Sequence, residues 1–376
     1  MRGSVARDGT SWMFVVDLPR GTDGRRRQQK RRGFPTRKAA EQELQRTLVR
    51  AAAGTFVEPT RLSVSQYLLD QWLPAITGTV RSSTLNSYRG NIERHVIPSL
   101  GTIRLTAVTA PMLTILYRQL EHESGLSAKT VRHVHTTLRK AMADAMRWGL
   151  LDRNPAAAAE PPKLKRQEMR TWTADQVRSF LLDLEGDPLL AVFTLLSTTG
   201  MRRGEVLGLR WCDVDFDAHR LHIQQTLTSV NYQLVFGEPK TARGRRMIPV
   251  DDHTIAVLRQ HRVRQSGDRL AMGVDWADER DLVMVRADGS PIHPDTVSDT
   301  FDRRVKASGL PKIRLHDLRH TWATLALEAG VPVKVVSEVL GHASPAFTLD
   351  VYSHVTPVML EDLARIVGNR IFGQTG

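Results

Sequence analysis

Cysteine is almost absent from this sequence, because Cys212 is the only one among 376 residues. A single thiol excludes a disulfide within the chain and any zinc site built on several cysteines. We expect Cys212 to be a small buried thiol.

Long apolar runs are also missing. No stretch of 18 or more uncharged apolar residues occurs, which argues against a membrane-spanning helix. The first residues, MRGSVARDGTSW, lack the apolar core and small-residue cleavage site of a secretory signal. We therefore expect a cytoplasmic protein.

Nucleotide-binding motifs are absent as well. The sequence has no GxxxxGK[ST] loop, no dinucleotide-binding glycine motif and no internal repeat. Nothing in it indicates the use of a nucleotide, and we expect no cofactor. The length instead favours two or three domains, each able to bury its own core.

Positive charge is plentiful but unevenly distributed. The formal net charge is +13: residues 1–60 carry 13 Lys and Arg against 6 Asp and Glu, residues 61–165 carry 14 against 7, and the rest carry 26 against 27. Basic segments attract polyanions and release counterions from DNA. We therefore expect bulk attraction to DNA before residue 166 and a different task after it.

Residues 1–58 predict a small ββ(β)α module that binds DNA. The aromatic and β-branched run Ser11–Leu18 is typical of a strand, and a second strand is predicted near residues 28–34. Thr36 is the predicted N-cap of a helix that ends before Gly54. For the basic run between the strands, a solvated turn or flexible tail is the alternative.

Residues 62–155 predict a domain of four helices, because apolar residues recur at spacings of three and four. Basic residues repeat along these helices, which can be ordinary solvated faces or surfaces that press against a duplex. The proline- and alanine-rich residues 156–170 predict a linker. The candidate DNA-binding residues of the two upstream segments are Arg25, Arg26, Arg27, Lys30, Arg31, Arg32, Arg81, Arg89, Lys129, Arg132, Arg139 and Lys140.

Residues 171–376 predict a mixed, mostly helical domain with a C-terminal tail. Strands near residues 219–227, 232–236 and 247–250 predict a three-stranded β-meander among the helices. Amphipathic helices are predicted at residues 344–352 and 357–371. The fold class expected for the chain is therefore mainly α with small β elements (α+β).

Residues suited to breaking a phosphodiester without a metal occur in the last domain. That reaction needs cationic donors around the phosphate, an in-line nucleophile and an acid for the leaving oxygen. Suitable groups are Arg202 in TTGMRRGE, His316 and Arg319 in LHDLRH, His342 in LGH, and Tyr352 in VYSH.

Each of these residues also has an ordinary structural interpretation. Arg202 can be a helix-surface charge paired with Glu205, and His342 can cap the preceding helix. His316 and His320 have the i, i+4 spacing of zinc ligands, but Asp317 stands where HExxH has Glu, and no third ligand is evident. Tyrosines are usually core residues. It is their joint occurrence that favours catalysis.

Together these blocks resemble the tyrosine recombinase family, and the layout of the chain is similar to phage and integrative-element integrases with an N-terminal arm-binding module. Arg202 with Glu205 matches the family's first arginine block. His316 and Arg319 match its HxxR block, and His342 and Tyr352 match its LGH block and nucleophile. The resemblance implies that Glu205 supports Arg202 structurally.

The family also uses a lysine on a β-hairpin between these blocks. Lys240 is the only lysine between Lys165 and Lys306. Arg243, Arg245 and Arg246 are alternatives, but arginine is a poor proton donor. The resemblance therefore assigns Lys240 as the general acid.

The implied activity is site-specific cleavage and rejoining of DNA through a 3′-phosphotyrosine and a Holliday junction, without metal or ATP. It would integrate, and possibly excise, a phage or mobile element. The implied partners are double-stranded attachment sites, a homo-tetramer on DNA, and an excision factor or host DNA-bending protein. The expected location is the bacterial cytoplasm, on the nucleoid when DNA-bound. Alternatives are a type IB topoisomerase and a DNA-binding regulator that does not cut.

Overall fold

The computed structural model describes most of the chain, in two compact units, Met1–Arg166 and Gln167–Gly376. The described residues are 3–18, 27–52, 61–164, 169–239, 244–278 and 280–341. Among the helices in these ranges, none combines the length and apolar character needed to cross a membrane. The predicted helices at residues 344–352 and 357–371 lie outside the described residues.

The N-terminal module is a three-stranded antiparallel sheet covered by one helix, in the order β1-β2-β3. Alternate residues of β2, Phe14 and Val16, are fully buried and pack against Leu44 of the helix. Thr36 begins the helix by accepting a hydrogen bond from the backbone N–H of Ala39 at 3.1 Å. The elements are β1 (Gly3–Asp8), β2 (Ser11–Leu18), β3 (Arg27–Phe34) and α1 (Arg37–Ala52).

The second part of this unit consists of four helical segments around a common core, as the apolar spacing predicts. Two segments contain π-helical turns, Gln66–Trp72 and Ile92–Val96. Aromatic residues anchor the core: Tyr67 Oη donates to the carbonyl of Ala141 at 2.6 Å, and Trp72 Nε1 donates to the buried carboxylate of Asp144 at 2.8 Å. The α-helices are α2 (Leu73–Ile76), α3 (Ser82–Asn91), α4 (Ile97–Leu100), α5 (Ala110–His122) and α6 (Ala128–Arg147).

The end of the predicted helical domain and the first residues of the predicted linker pack onto this core. Asn154 caps a short turn, Pro155–Ala157, by accepting hydrogen bonds from the next two alanine N–H groups, and its amide donates to the carbonyl of Arg139 at 2.8 Å. Ala156 and Ala159 are buried among the helices. The division of the chain into two compact units falls further along, after Arg166.

The second unit is built around one helix that is buried on almost every side. This helix, α8, has the sequence LAVFTLLSTT, and its Phe193 belongs to an aromatic cluster with Trp172, Phe180 and Phe301. Ring centroids in the cluster lie 5.2–5.9 Å apart. The helices are α7 (Ala174–Leu182), α8 (Leu190–Thr199), α9 (Arg203–Leu207), α10 (Asp252–Met272), α11 (Pro294–Ser308), α12 (Asp317–Glu328) and α13 (Val333–Leu340).

The small sheets confirm the α+β class but differ from the predicted meander. The strands are β4 (Val214–Asp215), β5 (Arg220–Ile223), β6 (Thr226–Val230), β7 (Gln233–Gly237) and β8 (Arg246–Pro249). They form a three-stranded sheet of order β4-β5-β8 and a separate hairpin, β6-β7. The expected single strand at residues 219–227 is broken, and β8 therefore pairs with β5 and not with the hairpin.

Glycines explain why the strand breaks. A Cβ on Gly204 of α9 would lie 2.6 Å from the carbonyl oxygen of Leu227, and one on Gly208 would lie 3.0 Å from the backbone of the same strand. The helix backbone therefore contacts β6 directly. Gln225, just before β6, donates to the carbonyl of Gly208 at 2.9 Å. These contacts draw β6 away from β5.

The expectation of a buried Cys212 is wrong. Its side chain is exposed. It lies in the short turn Trp211–Asp213, in which both flanking residues are buried.

Replacing Gly204 by Ala should destabilise the second unit by about 1–3 kcal/mol, because the added methyl group meets backbone that cannot move aside easily. Gly267→Ala is the matched control. Gly267 lies within α10, and a Cβ added there would meet only open space, so this change should stabilise the unit by about 0.4–1 kcal/mol. Urea unfolding measures both. Equal stability of Gly204→Ala and the wild type would contradict the close packing.

Candidate functional site

The candidate site begins at the turn between α8 and α9. Gly200 ends α8 in the left-handed region with φ +64°, where glycine is favoured. A Cβ there would also lie 2.7 Å from the ring of Trp322. This tight turn places Arg202 at the N-terminal end of α9, with its side chain 40% exposed.

A buried arginine connects this turn to two distant segments. Arg319, on α12, is only 3% exposed. Its Nη1 donates to the carbonyl of Gly200 at 2.6 Å, and its Nη2 donates to the carbonyl of Leu340, the last residue of α13, at 2.5 Å. One guanidinium therefore brings together the Gly-Met-Arg turn, the His-x-x-Arg block and the Leu-Gly-His block.

Glu205 is a buried carboxylate shared by two arginines, and it is 1% exposed. Its Oε1 accepts from Arg202 Nη1 at 2.8 Å and Arg246 Nη1 at 3.1 Å. Its Oε2 accepts from the Arg202 backbone N–H at 2.9 Å and Arg246 Nη2 at 2.9 Å. Burial acts to raise the pKa of Glu205, but the hydrogen bonds and charges of Arg246 and Arg202 hold it below its usual value. Glu205 is therefore ionised.

His316 is the last residue before α12 and remains in contact with solvent. Partial burial of its ring, with the charges of His320 and Arg319, lowers the pKa of His316 to about 4. The rings of His316 and His320 meet edge to face with centroids 5.1 Å apart. His316 is therefore neutral at pH 7, with a ring nitrogen able to accept a proton.

A cavity of about 350 Å³ opens beside these residues. Its lining includes His316, Arg319, Arg203 and Arg314. Arg203 turns to α11, where its Nη1 donates to the carbonyl of Pro294 at 2.9 Å. The lining thus combines three arginines and a neutral imidazole with one carboxylate, that of Asp302, and with apolar side chains. The excess of positive groups is suited to an anionic group.

The start of α12 is held by an ion pair. Arg314 Nε and Nη2 donate to the two carboxylate oxygens of Asp317 at 3.0 and 2.8 Å. Burial acts to raise the pKa of Asp317, and hydrogen bonds from Arg314 outweigh it, so that the pKa is lowered. This pair flanks His316 and fixes the backbone that carries it.

Three of the predicted site residues, Lys240, His342 and Tyr352, lie outside the described residues. The other tyrosine of the unit, Tyr232, is at the tip of the β6-β7 hairpin and is 87% exposed. The described residues that the structure does bring together are Arg202, Glu205, His316 and Arg319.

The predicted DNA-binding residues are distributed over the first unit. Arg25 and Arg26 lie outside the described residues, and Arg27 begins β3. The register pairs Arg31 with Phe14 and Lys30 with Val15. Arg31 therefore shares the sheet face of Phe14, which packs against α1, and contacts Glu43 of that helix at 3.0 Å. Lys30 lies on the opposite face.

The remaining candidates of the first unit have the following positions. Arg32, at the end of β3, lies 3.3 Å from Asp8. Arg81 precedes α3, and Arg89 lies 3.3 Å from Glu93. On α6 are Lys129, Arg132, Arg139 and Lys140, of which Arg132 donates to the carbonyl of Pro162 at 3.2 Å and Lys140 lies 3.6 Å from Asp144.

Sequence reasoning missed the role of Arg246 as the partner of Glu205. The sequence motifs present Arg246 only as an alternative to Lys240. The two residues of the ion pair are 41 positions apart, and sequence spacing does not reveal their contact. The available signal was the position of Arg246 at the start of the predicted strand near residues 247–250.

Comparison with known proteins shows the family to which this chain belongs. The profile of the "Phage integrase family" matches residues 170–358, which are 189 of the 376 residues. The chain therefore belongs to the phage integrase family, whose members are tyrosine recombinases. An "Arm DNA-binding domain" profile matches residues 4–50, and a "Phage integrase, N-terminal SAM-like domain" profile matches residues 66–115. The resemblance stated from the sequence motifs is confirmed.

Individual curated relatives carry names that agree with this family assignment. A "Tyrosine recombinase XerC-like" protein of Caldanaerobacter subterraneus subsp. tengcongensis is 28% identical over 77% of this chain and 79% of its own length. The "Integrase" of Streptomyces ambofaciens is 27% identical over 93% of this chain and 90% of its own length.

Solved structures share the fold. The Tn1549 transposon integrase in complex with circular intermediate DNA has a TM-score of 0.69 at 21% identity, covering 81% of this chain and 99% of that one. A lambda integrase dimer bound to a COC′ core site has a TM-score of 0.56 at 18% identity, covering 92% and 93%.

The lowered pKa of His316 predicts a loss of stability on acidification. The unfolded chain takes up this proton near pH 6.5 and the folded chain only near pH 4, so this contribution to stability falls as the pH drops through that window. His316→Gln should therefore reduce the decrease in melting temperature between pH 7 and pH 5. His133→Gln, at a position in the other unit, is the control. A decrease identical to the wild type in His316→Gln would contradict the assignment.

Proposed function

We propose that this chain cleaves and rejoins DNA strands at specific sites, and that the site around Arg202 and Arg319 holds the scissile phosphate. The observation that carries the proposal is the guanidinium of Arg319, which joins three segments widely separated in sequence at one point. The paired Arg202 and Glu205 lie at the same turn. Planar guanidinium forks match the non-bridging oxygens of a phosphate.

The proposed chemistry needs neither a metal nor a cofactor. Tyr352 attacks the scissile phosphorus, a 3′-phosphotyrosine forms, and the bond to the 5′-oxygen breaks. Lys240 gives its proton to that oxygen, and His316 accepts the proton of Tyr352. Arg202, Arg319 and His342 stabilise the charge of the phosphate. The 5′-hydroxyl of a partner strand then attacks the phosphotyrosine, and two such rounds pass through a Holliday junction.

The neutral state of His316 supports its part in this scheme. A free tyrosine has a pKa near 10, so its attack at neutral pH requires a base close by. A histidine that is protonated at pH 7 could not serve. The lowered pKa of His316 keeps its ring unprotonated at pH 7, although it also makes the free ring a weaker base. The negative charge of a bound phosphate would raise the pKa again and strengthen the base when substrate is present.

Covalent trapping tests the proposal. A nicked suicide duplex carrying the element's attachment sequence, taken from the DNA that flanks the gene, should give a protein–DNA adduct that Tyr352→Phe abolishes. Arg202→Gln should slow adduct formation by about 10²–10³-fold, the usual cost of losing one transition-state donor.

Binding controls and a joining assay separate the alternatives. Tyr352→Phe should bind the duplex as the wild type does, which shows that only chemistry was lost. Binding without any adduct in the wild type would instead indicate a non-cutting regulator. Joining of two different duplexes distinguishes a recombinase from an enzyme that only relaxes plasmid DNA.

The proposed division of labour follows the charge distribution. Residues 1–58 bind arm-type DNA, residues 62–155 bind the core site, residues 156–170 link them to the rest, and residues 171–376 carry the catalytic groups and the tail. The +14 charge upstream of residue 166 supports this, since the remaining residues sum to −1. The chain would act in the bacterial cytoplasm, on the nucleoid when bound to DNA.

The proposed assembly is a homo-tetramer on two duplexes. The residues near positions 357–371 have helical apolar spacing suited to docking on a neighbouring copy, and packing within the same chain is the alternative. An excision factor or a host DNA-bending protein would set the direction of recombination.

Salt dependence tests the arm module. Lys30 lies on the sheet face away from α1, whereas Arg31 already contacts Glu43. Lys30→Ala should therefore reduce the slope of log affinity against log salt by about one, and Arg31→Ala by less. Affinity measured on arm-site DNA at several salt concentrations checks this. A larger loss for Arg31→Ala would place the DNA on the other face.

A further inference from the structure

Arg246 is the most fully engaged arginine around the candidate site. It begins β8 and is 7% exposed. Its Nη1 and Nη2 form a fork on the carboxylate of Glu205 at 3.1 and 2.9 Å. Its Nη1 also donates to the carbonyl of Gly244 at 3.2 Å, and its Nε donates to the carbonyl of Val339.

We infer that Arg246 is a positioning residue for strand cleavage, which acts on the scissile phosphate through Glu205 and Arg202. The inference rests on the proposed function. Each oxygen of Glu205 accepts from both arginines. The direction of the Arg202 side chain therefore depends on a carboxylate that Arg246 holds in place.

Through its contact with Val339, Arg246 also holds the segment that leads to the Leu-Gly-His motif. Val339 is the penultimate residue of α13, which ends at Leu340, and Gly341 then adopts φ +64°. His342 follows directly in the chain. One guanidinium thus fixes the end of the helix that leads to His342 and the carboxylate that orients Arg202.

Arg246 is also close in sequence to the proposed general acid, Lys240. Arg246 follows Lys240 by six positions in the sequence and is the first residue of β8. The anchoring of Arg246 therefore fixes a point of the chain six residues after the proposed general acid.

A purely structural buried ion pair is the competing explanation, and the chain contains one for comparison. Arg210 donates through Nε and Nη2 to Asp213 at 2.8 and 2.9 Å, and Asp213 is 7% exposed. This pair is also bidentate and lies in the same unit, although Arg210 uses Nε and Nη2 and is 34% exposed. Its hydrogen bonds stay within the turn around Trp211, so its loss should affect stability alone.

The experiment compares Arg246→Lys with Arg210→Lys in the full chain. Lysine keeps the charge but not the planar fork. The measurements are the single-turnover rate of adduct formation on the nicked attachment-site duplex at saturating protein, the dissociation constant for that duplex, and the melting temperature. Arg246→Lys should slow adduct formation by about ten- to a hundredfold, as misplacement of a catalytic group does, with the dissociation constant unchanged. Arg210→Lys should keep the wild-type rate.

The outcomes separate the two proposals. If Arg246→Lys forms the adduct at the wild-type rate, or if both variants slow in proportion to their melting temperatures, the positioning role is overturned. If the wild type forms no adduct, the proposed function fails, and the inference fails with it.

A double variant covers the case in which Arg246→Lys does not fold. Glu205→Gln combined with Arg246→Gln removes both buried charges together, and the one charge that loses its partner, Arg202, is 40% exposed and can be solvated. This variant should fold and bind the duplex, yet form the adduct at least tenfold more slowly. A wild-type rate in the double variant would overturn the inference.

Discussion

The buried carboxylate of Glu205 is the constraint on which the candidate site depends. An ionised carboxylate removed from water is costly unless charged donors surround it. Glu205 meets this condition with four hydrogen bonds from Arg202 and Arg246. Removing one partner of such a pair typically costs about 3–5 kcal/mol, because the other charge stays buried. The same interactions that make the fold tolerate Glu205 therefore also restrict where Arg202 can point.

Arginines at this site also supply hydrogen-bond donors to carbonyl groups at the ends of two helices. The last carbonyls of a helix lack partners within it and carry a partial negative charge. Two helices, α8 and α13, end at glycines in the left-handed region close to the site. Arg319 donates to Gly200 and to Leu340, and Arg246 donates to Val339. The arginines of the candidate site are thus held where the backbone already favours positive charge.

Local patterns in the sequence predicted the helices, the N-terminal sheet and the four-helix region, because these depend on periodicity and caps near in sequence. The meander was wrong, since strand pairing here depends on how closely Gly204 and Gly208 let α9 approach β6. The exposure of Cys212 depends on which way one turn faces. The contact between Arg246 and Glu205 spans 41 positions, and only the fold reveals it. The roles of Lys240, His342 and Tyr352 stay predictions from motifs.

Charge and geometry have separate tasks in this chain. The residues after position 165 sum to −1, so they have no excess charge with which to attract DNA at a distance. The arginines of the candidate site are held in place by carboxylates and helix carbonyls. Such groups stabilise charge at one point without rearranging during the reaction. A site of this kind is effective only once a phosphate is brought to it. On the proposed function, the basic segments upstream of residue 166 bind DNA and so bring a phosphate to the site. The DNA sequence that these segments recognise then decides which phosphate is cleaved.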